Sequence, residues 1–171
     1  MKKRVAILVE EKYEDLELQY PRLRLLEAGV DVVVVGPGRG SYAGKHGYPQ
    51  AEQATYRELD ASRFDGVVVP GGWAPDRLRR SQEVLRFVRD LDASRKLVAA
   101  ICHAGWVPIS AGILKGREAT SAPAIRDDMT NAGAKWVDRE VVVDRNLVTS
   151  RNPDDLPAFM RACLEILGAG G

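Results

Sequence analysis

Cys102 and His103 stand side by side within residues 96–112, KLVAAICHAGWVPISAG, in a chain with only two residues of each kind. Neighbours on a regular helix or strand point apart. The two can therefore cooperate only across an irregular turn, and they sit where the apolar run 97–101 gives way to a helix-like pattern. A nucleophile elbow is such a turn: it holds the reactive residue in a strained conformation above a sheet. Ala104 and Gly105 leave the room that a close backbone approach needs. The chemistry on offer is attack by sulfur. The bland alternative is a small buried hydrophobe, and Cys163, in the apolar stripe of the last helical segment, fits that description.

Sulfur attacks as the thiolate. A free cysteine has a pKa of about 8.5, so only a few per cent is ionised near neutrality. Lowering it by about 2.5 units needs roughly 3.4 kcal/mol. A helix N-terminus supplies about 0.3–1 kcal/mol, and ~2 in a good geometry, so another donor must bond the sulfur. The loop EEKYEDLE carries Glu10, Glu11, Glu14, Asp15 and Glu17. An ionised carboxylate beside the sulfur would repel its charge, whereas a protonated one would donate a hydrogen bond. A partly buried glutamic acid with a raised pKa is the residue to look for. The remaining acids suit a helix start.

Short β-branched runs alternate with longer amphipathic segments, the pattern of an α/β fold with a mainly parallel sheet. RVAILV, DVVVVGP, FDGVVVPGG and KLVAAI are the strands. EDLELQYPRLRLLEAG is helical, with Leu16, Leu23, Leu25 and Leu26 as apolar anchors, a kink at Pro21 and a stop at Gly29. GSYAGKHGYP predicts a small hairpin, which makes His46 a loop residue. SQEVLRFVRDLDAS predicts a helix capped by Ser81, and EVVVDRNLVTS a hairpin turning at 144–146. In such a sheet, ligands lie outside the carboxyl ends of the strands. The acidic loop, the Pro70-Gly71-Gly72 turn, Cys102-His103 and the TSRNP turn all converge there.

At 171 residues and a net charge of +1, the chain suggests one domain, 1–171, with no basic stripe for nucleic acid. RLRRSQEVLRFVRD is interrupted by Glu83 and Asp90, as a solvated helix face would be. No apolar run approaches the ~20 residues that span a bilayer. The start MKKRVAILVEEKYED has too short an apolar core for a signal peptide. Two cysteines form no disulfide framework, so a reducing cytoplasm is expected. One Cys-His pair without a second cluster at ligand spacing gives no reason to expect a metal, and no cofactor motif is present. No histidine follows His103, which argues against a papain-like protease or a class-I glutamine amidotransferase.

The segments VVVPGGWAPDRLR, AAICHAGWVPISAGILKGR, IRDDMTNAGAKWVDREVVVDRNLVTSRNPDDLPAF and GKHGY together resemble the PfpI branch of the ThiJ/PfpI superfamily, in order and over nearly the whole chain. That superfamily includes proteins described as intracellular proteases, deglycases, glutathione-independent glyoxalases and general stress proteins. The resemblance implies a flavodoxin-like α/β sandwich with Cys102 as the nucleophile and Glu14 as the acid bonding its sulfur. It implies that the backbone amides of Gly72 and His103 form an oxyanion hole. It also implies that Asp76 reaches His103 of a neighbouring subunit, so that the site is completed in a homodimer or larger assembly. Relatives often carry Cys-His-Gly-Pro where this chain has Cys-His-Ala-Gly-Trp, which reshapes the pocket floor around Trp106, a substrate-binding candidate. Ala122 stands where some relatives have a tyrosine. The activity implied is thiolate attack on methylglyoxal, glyoxal or their early adducts. A peptidase or amidase, and a redox-sensing or chaperone-like stress protein, are the alternatives.

Overall fold

The computed structural model describes residues 2–169. The chain lays down β1 (Arg4–Leu8), α1 (Asp15–Glu27), β2 (Asp31–Gly36) and the short strands β3 (Ser41–Ala43), β4 (Pro49–Ala51) and β5 (Ala54–Thr55). Then come β6 (Gly66–Val69), α2 (Ala74–Leu78), α3 (Gln82–Ala93), β7 (Leu97–Ile101) and α4 (Trp106–Ala111). The last third holds β8 (Glu118–Ala119), α5 (Arg126–Asn131), β9 (Lys135–Trp136), β10 (Val142–Asp144), β11 (Leu147–Ser150) and α6 (Leu156–Leu167).

Seven strands form one sheet in the order β10-β11-β7-β6-β1-β2-β5. Every pairing is parallel except the β10–β11 hairpin at the edge. Parallel strands covered on both faces should be apolar throughout rather than alternating. β6 and β7 are indeed buried at every position, and β1 at all but its first. α3 lays Val84, Leu85, Phe87, Val88 and Leu91 against the sheet, with the Ser81 hydroxyl accepting from the Val84 amide as its cap. α6 buries Phe159, Met160, Cys163 and Leu164. The hairpin expected over residues 40–49 is present as the antiparallel β3–β4 pair, with its second strand running on to Ala51, and the fold is the flavodoxin-like sandwich foreseen. The β8–β9 pair, two residues on each side, is too short to show a periodicity.

The face assigned to α1 needs correction. Only Leu25 of the four expected anchors is buried; Leu16 and Leu23 are 57% and 59% exposed, and Leu26 is also exposed. The buried stripe is Glu17, Leu18, Pro21 and Leu25, with Asp15 buried beside it against the β3–β4 loop. Counting leucines found the outer face, because the inner one carries an acid and a proline. Pro21 is accommodated within the helix.

β6 and β7 approach closely because Gly66 has no side chain: a Cβ there would lie 2.6 Å from Leu97 Cβ and 3.0 Å from its carbonyl oxygen. Gly66→Ala is expected to destabilise the fold by about 1–3 kcal/mol, read as a lower urea midpoint with an unchanged slope. A midpoint equal to that of the parent would show that the strand pair can part at no cost.

Candidate active site

The chain leaves β7 and enters a single 3₁₀ turn, 102–105, before α4 begins. Cys102 has φ +62°, in the left-handed region that L-residues rarely occupy. This is the strained elbow that the Cys-His pair required. The turn is fixed from below, where the Ala122 amide donates to the Cys102 carbonyl at 3.2 Å. Gly105 lets the following helix close on α5, since a Cβ there would lie 2.7 Å from Met129 Sδ.

Opposite the elbow, the loop after β1 is stitched to the Pro-Gly-Gly turn. The Glu14 amide donates to the Gly71 carbonyl at 3.1 Å, and the Trp73 amide to Lys12 at 2.9 Å. Neither glycine can be replaced without movement. A Cβ on Gly71 would lie 2.4 Å from Glu17 Oε2 and 2.7 Å from Cys102 Cβ. Gly72 has φ +77°, and its Cβ would lie 2.5 Å from the Glu14 nitrogen. The amides of Gly72 and His103 both donate toward the Cys102 sulfur.

The acid at the sulfur is Glu17, not Glu14. Glu14 sits at the N-cap of α1, where its Oε2 accepts from the Glu17 amide at 2.9 Å. One helical turn on, Glu17 is on the inner stripe, 0% exposed. Its Oε2 accepts from the Gly71 amide at 2.7 Å, and its carboxyl meets the Cys102 side chain. Oε1 is buried without a conventional partner. Burial first, and the Glu14 charge second, push the Glu17 carboxyl up to about 8. It is therefore protonated at neutral pH, the state in which it can donate to sulfur.

The thiol does not behave as the sequence suggested. Burial, and after it the Glu17 charge, push Cys102 up to about 12, while the two amides pull it down. The rises of Glu17 and Cys102 conflict, because a neutral Glu17 carries no charge to repel the sulfur. The rise of Glu17 governs, since the group is fully enclosed. Burial alone still disfavours a resting thiolate. His103 supplies the remedy: its Nδ1 lies 3.2 Å from Sγ, and burial lowers its pKa, with Lys45 adding to that effect. It is thus a neutral ring able to take the thiol proton when attack occurs.

These groups open on a cavity of about 380 Å³, lined also by Trp73, Trp106, Lys45, His46 and Pro153. Trp106 packs edge-on to His103 at 5.4 Å and donates its indole N–H to Asp128 at 2.9 Å. Pro153 comes from the TSRNP turn, so all four expected segments meet at this rim. Asp76 stays outside it, half-exposed on α2 and paired with Arg80 at 2.5 Å. Glu14, Asp15 and His46 place ligand atoms within 4.8 Å of one another. Both Asp15 oxygens, however, already accept amides, those of His46 and Tyr48.

Glu17→Gln keeps a donor at the sulfur and removes the ionisable group. The thiol titrates above pH 8, where Glu17 has lost its proton and opposes the sulfur, so in the variant the midpoint, followed by ultraviolet absorbance, should fall by about one unit, equivalent to about 1.4 kcal/mol; Glu14→Gln should leave it in place. The folded-state pKa of Glu17 is raised from 4.5 to about 8. Its contribution to stability is therefore full below pH 4.5 and lost as pH rises through 8. The variant should lack that slope and gain on the parent at pH 8–9 in chemical denaturation. Parallel stability curves for the two proteins would rule out a buried, protonated Glu17.

Comparison with known proteins assigns the family. Residues 3–166 match the DJ-1/PfpI family. Deglycase PfpI of Pyrococcus furiosus is 45% identical over 164 residues, covering 96% of this chain and 99% of that protein. Protein/nucleic acid deglycase 2 of Escherichia coli is 41% identical over 172 residues, covering 99% of this chain and all of that one. A crystal structure of a two-domain protein from Anabaena variabilis, with DJ-1/ThiJ/PfpI-like and ferritin-like domains, superposes with a TM-score of 0.97 at 47% identity. It covers 99% of this chain, which spans about half (49%) of that longer protein. This chain belongs to the DJ-1/PfpI family.

Proposed function

We propose that this protein is a cysteine-dependent enzyme that acts on reactive dicarbonyls such as methylglyoxal and glyoxal, or on their early adducts with amines and thiols. The observation that carries this reading is the convergence on one sulfur of two amide donors, a protonated carboxyl and a neutral imidazole. In the forward direction, His103 Nδ1 takes the thiol proton and Sγ bonds to the aldehyde carbon. The carbonyl π pair moves to oxygen, where the Gly72 and His103 amides hold the negative charge. Hydrogen then shifts from the aldehyde carbon to its neighbour, oxidising the first and reducing the second, which leaves a 2-hydroxy thioester. Water cleaves it, releasing the 2-hydroxy acid and the thiol. No outside oxidant or reductant is consumed. With an amine adduct as substrate, the amine departs as the leaving group.

The cavity volume of about 380 Å³ favours a small carbonyl compound over an extended peptide. Burial of Glu17 serves the same end, since an acid that stays neutral can stabilise the sulfur anion without opposing it. Among the described residues no helix is long and apolar enough to cross a membrane, and both cysteines are free; we place the activity in the cytoplasm. We further propose a homodimer or an assembly of dimers in which Asp76 leaves Arg80 and reaches His103 of the partner subunit, orienting the imidazole that serves the sulfur.

Methylglyoxal consumption by the purified protein should be lost in Cys102→Ala; equal slow rates in both proteins would remove the enzymatic reading. Light scattering at micromolar concentration should return at least twice the chain mass. A monomeric mass there would contradict the cross-subunit role of Asp76.

A further inference from the structure

The loop between β3 and β4 is held more firmly than an exposed connection requires. Asp15 accepts the His46 amide at 2.8 Å through one oxygen and the Tyr48 amide at 2.9 Å through the other. Buried Tyr13 donates its hydroxyl to the Tyr48 carbonyl, and its own carbonyl accepts the Lys45 amide at 2.7 Å. Only glycine at 44 admits this clamp, since a Cβ there would lie 2.2 Å from Asp15 Oδ1. Surface loops are ordinarily the mobile part of a fold. Here a buried carboxylate and a buried tyrosine are spent on fixing one.

What the clamp presents to the cavity is His46, whose Nε2 lies 3.9 Å from Glu14 Oε1. Glu14 caps α1 with its other oxygen, so its carboxylate is itself fixed. The proposed chemistry leaves one task unassigned. His103 Nδ1 faces the sulfur, and the shift of hydrogen between two substrate carbons needs a base elsewhere on the cavity wall.

We propose that His46 is a second catalytic base, positioned by Glu14, which carries the proton from the aldehyde carbon to the adjacent carbon. This deepens the dicarbonyl reading and rests on it. After sulfur has added, His103 returns the thiol proton to the new alkoxide; His46 then takes the proton from the C–H bond, that electron pair forms a C=C bond, and the ketone π pair moves to its oxygen, giving an enediolate. His46 then returns the proton to the former ketone carbon, and the C=O of the thioester forms as the hydroxyl proton passes to the neighbouring oxygen anion, which becomes the 2-hydroxyl. A proton on Nε2, turned toward Glu14, leaves the Nδ1 lone pair free to accept; the carboxylate steadies the ring while it carries charge. The same logic orients a catalytic histidine in hydrolase triads. Apo distances in such sites are often long and shorten with substrate bound.

The test is steady-state kinetics on the full-length protein with methylglyoxal, beside Cys102→Ala. His46→Ala should lower kcat by about 10²-fold, within the range for a lost general base, and leave KM within about threefold. Added imidazole should restore part of the rate. Deuterium at the aldehyde carbon should give a larger isotope effect on kcat than in the parent, because proton abstraction has become the slow step. Glu14→Gln should lower kcat less and Glu14→Asp should recover it, with melting temperatures showing that each variant is folded. A His46→Ala kcat within threefold of the parent, or a loss that imidazole leaves untouched with no change in isotope effect, overturns the assignment. In either case an inactive Cys102→Ala would leave the dicarbonyl reading standing. If Cys102→Ala stays active, or if the parent consumes no methylglyoxal, that reading falls and this assignment goes with it.

Discussion

The whole site hangs on a carboxyl group that has been taken out of water. Glu17 lies on the inner face of α1 with one oxygen on the Gly71 amide and its carboxyl against Cys102. In water it would be an anion and would oppose a second negative charge beside it. Buried, it holds its proton to about 8 and becomes a donor to the atom that must carry charge. Burying an acid is costly unless it can neutralise. Here neutralisation is the useful state, so the penalty and the function have the same origin.

That constraint reaches into the backbone around it. Gly71 must be glycine because the carboxyl and the Cys102 Cβ both occupy the place of its side chain; Gly72 must be glycine because of its positive φ. Cys102 accepts a left-handed conformation so that its sulfur meets two amides, a carboxyl and an imidazole at once. Such strain persists only where the surroundings over-determine it. The parallel strands β1, β6 and β7, buried almost throughout, are the rigid elements that do so.

The site therefore divides its labour by environment rather than by residue type. Two glutamates one helical turn apart, Glu14 and Glu17, differ because one ends a helix at the cavity rim and the other lies beneath its floor. Two histidines differ likewise: His103 faces sulfur, and His46 sits on a clamped loop facing a carboxylate. Tyr13 and Asp15, within four residues of Glu17 in the sequence, fix the far wall of the cavity. One short acidic segment thus sets up both sides of the pocket.

The order of apolar runs in the sequence determined the parallel sheet, and the abrupt end of one run at Cys102-His103 determined where a nucleophile could stand. Periodicity is a local signal, and these features are local. The general requirement for a buried, protonated glutamic acid was also legible from the chemistry of sulfur. Which acid met it was not, because leucines at 16, 23 and 26 turned the expected inner face of α1 outward. The signal was present in Leu18, Pro21 and Leu25, whose stripe passes through Glu17. Only the tertiary structure decided between the two stripes: a helix face is chosen by what it packs against, and the sheet lies elsewhere in the chain. The same holds for the thiol, since burial, which raises its pKa, is a property of the assembled site and of no residue in it.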